Sequence, residues 1–301
     1  TRNFFKYSDQ TTLDVLSSLT NNKKLIGVLT GQWGDYGLPP SQSSFAMHAL
    51  VVGHYLDGGN YPQGTSRRIA ETISNVIEKN GGTLAVNAGV QEVLTSKGTA
   101  VGVLMENGDK IKSNFVISGA GVANTYTKLM SENNKLIQSV DKKMKKVKET
   151  GSYVCLHIGL NKSIQDMMIK NTNLWIYPGY DHDQSLKNYI DDPRSEFPLV
   201  YVSFPSAKDD SWDKKHPNSG TIEAIIPSQM SWYSNWKNTN WKRRGSQYDS
   251  HKEKLSKNIL DVVLKHVPEI KDNIDFLELS TPLTVQSLAN YSGGEMYGLD
   301  H

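Results

Sequence analysis

Gly119-Ala120-Gly121 is the part of this sequence nearest to a dinucleotide-binding fingerprint. It follows the apolar run Phe115–Ser118 and leads into a helical stretch, and two glycines there let backbone approach a ligand closely. The third fingerprint position is Asn124, and no strand-ending acid follows about twenty residues on. The motif therefore reads either as a cofactor contact or as an ordinary strand-to-helix turn. Tyr61-Pro62-Gln63-Gly64 opens a second helix, where free backbone N–H groups favour an electron-rich ligand. The same residues also fit a simple launching turn.

Other signals are weaker. The SxxK spacing of some serine acyl-enzymes occurs at Ser139–Lys142 and Ser211–Lys214, but the supporting SDN and KTG motifs are absent. His48 and His54 are six residues apart and do not share a helical face. Asp181-His182-Asp183 is polar enough for a metal, yet no second ligand cluster supports it, so no metal centre is expected. Cys155 lies between Val154 and Leu156 on a strand and reads as a buried, inert thiol.

Four of the six tryptophans fall within Trp212–Trp241, beside Lys237, Lys242, Arg243 and Arg244. A packed loop, a loop against an apolar ligand or membrane, and a nucleic-acid surface all use that mixture. Lys142, Lys143, Lys145, Lys146 and Lys148 form either a solvated helix face or an attraction for acidic lipid.

The elements that must hold these residues are mixed. Thr11–Ser18, Asn22–Leu29 and Ser43–Leu56 read as helices, the last capped by Ser43 or Ser44. Gly31–Gly37 and Asp57–Gly64 read as loops. Ile69, Ile73, Val76 and Ile77 fall on one face of a helix stopped by Gly81-Gly82. The period then changes to two: Val90–Leu94 and Ala100–Met105 read as strands, Asn107-Gly108 as a tight turn, and Phe115–Ser118 as a short buried strand. Tyr153–Leu160, Leu174–Tyr177, Leu199–Phe204 and Thr221–Ile226 suggest a second sheet. Lys252–Val267 is an amphipathic helix ended by Pro268, and Thr281–His301 reads as a strand followed by loop. The class is α+β, with a boundary near residue 130–150.

The 301 residues are 37% hydrophobic and 21% charged, within the globular range, and carry a net charge of +2. That balance argues against a dedicated nucleic-acid binder. One cysteine excludes an internal disulfide and any multi-cysteine metal site. The longest stretch without a charged residue, Tyr36–Leu56, holds Pro39, Pro40, His48 and His54, and does not read as a membrane span. Thr1 in place of Met, and the ending at His301, suggest a fragment cut at one or both ends. A cytoplasmic protein, with membrane association as an option, is expected.

The order of the motifs says more than any one of them. Trp33-Gly34-Asp35-Tyr36-Gly37, then Gly58-Gly59-Asn60-Tyr61-Pro62-Gln63-Gly64, then the meander ending in Gly119-Ala120-Gly121 resembles the flavin-dependent phytoene desaturase, carotene isomerase and retinol saturase group. Ser203–Asp209, Ser280–Thr284 and Tyr297–His301 are similar to later landmarks of that family.

The resemblance implies an α/β flavin-binding domain with an inserted mixed-sheet substrate domain. Residues 1–82 would line the cavity, 83–130 belong to the FAD-binding domain, 131–280 bind substrate, and 281–301 return toward the flavin. The N-terminal glycine motif and the C-terminal flavin segment of that family are not in this sequence, and Thr65 stands where its Tyr-Pro-x-Gly-Gly loop has a second glycine. The resemblance places Val90, Gly119, Ala120, Gly121, Tyr61, Pro62 and Gly64 near FAD, and Trp33, His54 and Tyr297 along the substrate. Catalytic residues stay unassigned; Asp35 and Glu295 are the proton carriers to test. The implied activity is FAD-dependent redox or isomerisation chemistry on the C=C bonds of a hydrophobic polyene, such as a carotenoid, retinoid or related lipid. A non-catalytic apolar-ligand binder with an incomplete flavin site is the alternative. Peripheral membrane docking is a further expectation.

Overall fold

The computed structural model describes residues 2–130, 139, 140, 142, 143, 146, 147 and 150–298. They fall into two units, one built from Thr1–Arg68 with Thr150–Tyr297 and one centred on Ile69–Glu149.

The first unit opens with helices α1 (Arg2–Tyr7), α2 (Thr12–Leu19) and α3 (Lys23–Leu29). Side-chain caps start two of them: Thr11 accepts from the Asp14 N–H and Asn22 from the Leu25 N–H. A 3₁₀ turn, Trp33–Asp35, leads to α4 (Phe45–His54). Ser44 is the α4 cap, accepting from the Ala46 N–H. Ser43 is instead buried against the Thr12 hydroxyl, 2.9 Å away.

In the second unit α5 (Arg67–Lys79) precedes an antiparallel meander of β1 (Val90–Ser96), β2 (Thr99–Met105) and β3 (Lys110–Lys112). Gly102 is obligatory there, because a Cβ would lie 2.1 Å from the Ile111 carbonyl oxygen. A short α6 (Val122–Asn124) runs into a π-helical turn, Thr125–Leu129. The strand expected at Phe115–Ser118 does not form. Phe115 and Ile117 are exposed. The Ser113 hydroxyl accepts from the Phe115 N–H and donates to the Phe115 C=O, so a local turn takes the groups a ladder would use.

The rest of the first unit contains β4 (Ser152–Leu160), β5 (Leu174–Ile176), α7 (His182–Asp191), β6 (Val200–Ser203), α8 (Pro205–Lys208), α9 (Trp212–Lys215), β7 (Gly220–Ser228), α10 (Ser246–His266), β8 (Ile274–Ser280) and α11 (Pro282–Ala289). The five strands make one antiparallel sheet in the order β5-β6-β7-β4-β8. Thr281 onward is not the expected strand: β8 ends at Ser280. Thr281 and Thr284 form a capping box, and Pro282 opens α11.

Alternation along the strands gives the sheet two faces. Val154, Leu156, Ile158 and Leu160 of β4, Ile222, Ala224 and Ile226 of β7, and Val200 and Val202 of β6 are buried with Ile259 and Val263 of α10. Each of these Val, Leu and Ile side chains contributes roughly 1.5–3 kcal/mol. Among the described residues no helix is long and apolar enough to cross a membrane.

The tryptophan-rich stretch is mostly packing. Trp232 and Trp236 lie against the core. Trp212 donates its indole N–H to the Ser219 C=O at 3.1 Å, and Trp241 alone of the four is largely exposed. Buried Arg244 donates to the carbonyls of Trp236, Thr239 and Leu283 and to the hydroxyls of Thr239 and Ser287. It thereby ties this loop to α11. Replacing that planar fork with Arg244→Met should lower stability by about 2–3 kcal/mol, because buried carbonyls lose their donors. Arg244→Lys should recover only part of the loss. Urea unfolding midpoints at constant slope measure both.

Candidate active site

The second face of the five-stranded sheet carries the polar and aromatic side chains of the strands. The Trp33–Asp35 turn packs on it. Trp33 is 1% exposed and forms a cluster with Tyr36 and Leu199, against which Trp175, Tyr177 and Tyr201 pack. Among the described residues its indole N–H has no partner. Two glycines make the close approach possible. A Cβ on Gly34 would lie 2.7 Å from Leu199 and 2.8 Å from Trp175. Gly37 has φ of +86°, and a Cβ there would lie 2.6 Å from the Tyr297 ring. Two phenols staple the turn: Tyr297 donates to the Gly34 C=O at 2.7 Å, and Tyr177 donates to the Gly31 C=O.

This arrangement sets Asp35 among six tyrosines: Tyr36, Tyr55, Tyr153, Tyr177, Tyr201 and Tyr297. Burial pushes the Asp35 carboxyl up to about 6. Among the described residues it makes no ion pair or hydrogen bond that would pull it back. Burial also raises the six phenols, and the Asp35 charge adds to the effect on each. Tyr297 is pushed up to about 12. All six therefore stay neutral, and the carboxyl keeps a proton further toward neutrality than an exposed one does. Tyr55 and Tyr297 are about two-fifths exposed, so part of this surface is open.

A polar row crosses the same face. Asn173 donates to the Tyr201 hydroxyl at 2.7 Å. Lys208 donates to Ser203 at 2.8 Å and also to Asn173. Ser203 opposes Glu223, and Glu223 opposes His157, in the strand register. His157 Nδ1 is 3.4 Å from Glu223 Oε1, and its Nε2 is 3.0 Å from the Ser280 hydroxyl. The His157 bond holds Glu223 below the usual carboxylate range, and the Lys208 charge assists. Desolvation lowers Lys208. Cys155 is only partly buried and shares this face, 3.8 Å from His157 Nδ1.

The candidates named from sequence separate by unit. In the first, Asp35 and Tyr297 meet in the tyrosine cluster, while Trp33 is packed inside its own cluster. Tyr61 is 37% exposed, with the Lys208 ammonium 5.9 Å from its ring centroid. The Gly64 N–H donates to Asp209 at 3.1 Å, and Pro62, between Tyr61 and Gly64 in sequence, is half-buried. His54 is exposed and stacks edge-on with Tyr55. Glu295 is buried and accepts from the Gly293 N–H at 3.0 Å, a local turn.

In the second unit, Gly119 and Gly121 line a groove of about 690 Å³ with Val93, Thr95, Ser118 and Thr125. Gly121 has φ of +84°, and nothing lies within 4 Å of a Cβ built on Gly119. Ala120 is turned to a local bond, its C=O accepting from Asn124 at 3.0 Å. Val90 is half-buried at the start of β1. The groove's walls are apolar and hydroxyl-bearing, with no charged side chain. They fit the neutral nucleoside part of a dinucleotide better than its pyrophosphate.

Asp181-His182-Asp183 is spent on structure. Asp181 caps α7, Asp183 accepts from the Ser41 N–H and hydroxyl, and His182 Nε2 lies 2.8 Å from the Gly27 C=O. All three line a cavity of about 740 Å³ with Leu13, Ile26 and Lys187. Ser211 donates to Asp209 at 2.7 Å within a turn. Lys142, Lys143 and Lys146 are exposed, and Lys145 and Lys148 lie outside the described residues, as do Leu299, Asp300 and His301.

Sequence reasoning missed Tyr153, Tyr177, Tyr201, His157, Lys208 and Glu223. The available signal was alternation: Tyr153, Cys155 and His157 occupy every second position of β4, opposite the apolar set.

No family model matches the chain. An all-trans-retinol 13,14-reductase of Danio rerio is 34% identical over 306 residues, covering 99% of this chain and 50% of the relative. An inactive all-trans-retinol 13,14-reductase of the same organism is 31% identical and covers 94% of this chain and 48% of the relative. A chloroplastic prolycopene isomerase of an Oncidium hybrid is 26% identical over 78% of this chain and 37% of its own length. Among solved structures, an oxidoreductase from Methanosarcina mazei shares the fold, with a TM-score of 0.59 at 13% identity, over 91% of this chain and 56% of that one. The chain spans about half the length of the curated relatives it matches. Across that half, it belongs to the retinol saturase, carotene isomerase and phytoene desaturase family.

Proposed function

We propose that this chain is the substrate-holding part of a flavin-dependent oxidoreductase that acts on a C=C bond of a hydrophobic polyene. The observation that carries the proposal is the uncharged tyrosine surface around Asp35, in a chain that aligns end to end with retinol 13,14-reductases. The exposed members of the cluster, Tyr55 and Tyr297, offer aromatic surface to a long conjugated chain, backed by the other neutral phenols. They place no fixed charge beside it.

FAD, when bound, supplies the electron or hydride chemistry. Gly119, Gly121 and Ser118 are the residues proposed to hold its nucleoside part. The protein's own contribution is to align the chain on the rings, exclude water, and hold a proton on the Asp35 carboxyl. Reduction of a C=C bond needs one proton at carbon besides the hydride, and a carboxyl titrating near 6 is suited to give it. Tyr297 fixes the turn that carries Asp35, so it acts on position. An inactive relative at similar identity makes activity the property to measure.

Purified protein carrying the missing half of a relative's length should retain a yellow flavin band after desalting and reduce retinol or a related polyene. Polyene binding with no flavin retained under any condition would replace the proposal with a non-catalytic apolar-ligand binder. Asp35→Asn should lower kcat at least tenfold with little change in KM, and should remove the loss of activity that accompanies deprotonation near pH 6. An unchanged pH profile would exclude Asp35 as the proton carrier.

The same carboxyl makes a stability prediction. Its folded pKa is raised from 3.8 to about 6. Its protonated form therefore stabilises the fold fully below the unfolded value, and that contribution is lost as pH rises through about 6. At pH 8 Asp35→Asn should be more stable than the parent by about 1–2 kcal/mol after allowance for partial exposure. At pH 4 the two should be nearly equal. Thermal or urea unfolding at both pH values tests the sign.

A further inference from the structure

The polar row contains one group of side chains that the tyrosine surface does not use. Cys155 Sγ, His157 Nδ1 and a Glu223 carboxylate oxygen all lie within 4.8 Å of one another. We propose that Cys155, His157 and Glu223 bind a divalent transition ion, with zinc the best match, in a three-ligand site that leaves a fourth position open.

The strand geometry builds the site. Cys155 and His157 are i and i+2 on β4, so both stand on one face as a chelating pair. Glu223 of β7 is directly opposite His157. A tetrahedral ion with bonds of ~2.3 Å to sulfur and ~2.0–2.2 Å to nitrogen and oxygen holds sulfur and nitrogen ~3.6 Å apart, and nitrogen and oxygen ~3.3–3.4 Å apart. The corresponding separations are 3.8 Å for Cys155 Sγ to His157 Nδ1 and 3.4 Å for His157 Nδ1 to Glu223 Oε1. Those two separations are already within about 0.2 Å of the tetrahedral values, and the third pair, Cys155 Sγ and the Glu223 carboxylate, lies within 4.8 Å.

The surroundings also match. The far nitrogen of His157 is engaged by the Ser280 hydroxyl at 3.0 Å, which turns Nδ1 toward the other two ligands. Metal-binding imidazoles are ordinarily oriented in this way. Mixed sulfur, nitrogen and oxygen donors suit a borderline ion such as Zn²⁺ rather than Mg²⁺ or Ca²⁺. The His157 and Glu223 side chains are 38% and 42% exposed, so an ion can enter.

Binding forms a metal–sulfur bond and releases the Cys155 thiol proton to solvent. Because the thiol gives up its proton on binding, affinity should rise with pH. The other charges facing the site are Lys208, which opposes a cation, and Glu278. Glu278 stands opposite His157 on β8 and is engaged by Lys252.

Cys155 is the sole cysteine, so thiol readouts report this site alone. The test is titration of chelator-treated protein with Co²⁺, followed by displacement with Zn²⁺. One equivalent should produce cobalt–thiolate charge-transfer absorption with tetrahedral ligand-field bands, and Zn²⁺ should abolish both. Zn²⁺ should also slow alkylation of Cys155 by iodoacetamide, read by intact mass. Cys155→Ser should remove the charge-transfer band, and Glu223→Gln and Ser280→Ala should each weaken binding at least tenfold with unchanged far-ultraviolet circular dichroism. Absence of the thiolate band at saturating Co²⁺ would overturn the proposal and leave His157 and Glu223 as a cross-strand contact alone. Equal affinity in Cys155→Ser would overturn it as well, placing the ion elsewhere.

Discussion

The β4–β7 pairing is the constraint on which the first unit depends. Its nine-residue register runs unbroken from Ser152 opposite Ser228 to Leu160 opposite Gly220. With a side-chain period of two, that one alignment decides both faces at once. Leu156 and Ala224 go to the apolar core, while His157 and Glu223 go to the opposite surface. A slip of one residue would bury a histidine and a glutamate and expose the core. The energy that sorts the apolar side therefore also specifies which polar groups meet on the other side.

The tyrosine cluster adds a loop to this surface, and the loop is held by contact rather than by regular structure. Gly34 and Gly37 allow the backbone to lie against Leu199, Trp175 and Tyr297, and the Tyr177 and Tyr297 hydroxyls take carbonyls that no helix or strand satisfies. Trp33 supplies the buried anchor. Its indole N–H has no partner among the described residues, a cost of about 1–3 kcal/mol that the surrounding packing must offset. A bulky anchor accepted with an orphaned donor suggests that the shape of the turn matters more than its local stability.

Much of the architecture was legible in the sequence. The helices near Thr11–Ser18 and Asn22–Leu29, the apolar face of α5, the Asn107-Gly108 turn and four of the five strands of the second sheet all follow from periodicity and turn chemistry. Two readings failed for identifiable reasons. Phe115–Ser118 has strand composition, but its backbone is taken by Ser113, and hydropathy does not register such a turn. Thr281-Pro282-Leu283-Thr284 was read by its apolar content, although Pro after Thr with Thr three residues on is a helix-start signal. The site was legible only in part. Asp35 and Tyr297 come from motif order, while Tyr153 and Tyr201 share a face only because β7 pairs with both their strands, Pro227 opposite Tyr153 and Ile225 opposite Tyr201. Composition carries no record of that pairing.

The contrast between Asp35 and Glu295 shows what the fold adds to residue type. Both are lone acids in glycine-rich segments, and sequence treats them alike. Glu295 has a backbone N–H within hydrogen-bond reach, and its neighbour across the bridge is Ser152. Its carboxylate is therefore committed to holding a turn. Asp35 is given burial and no donor, among six phenols that stay neutral because they share the same desolvation. A carboxyl with donors is a structural anion; a carboxyl denied them becomes a reservoir for a proton. The difference arises entirely from which backbone groups the two turns leave unsatisfied. This is why Asp35, rather than the more deeply buried acid, is the residue from which proton transfer in this face of the sheet can be built.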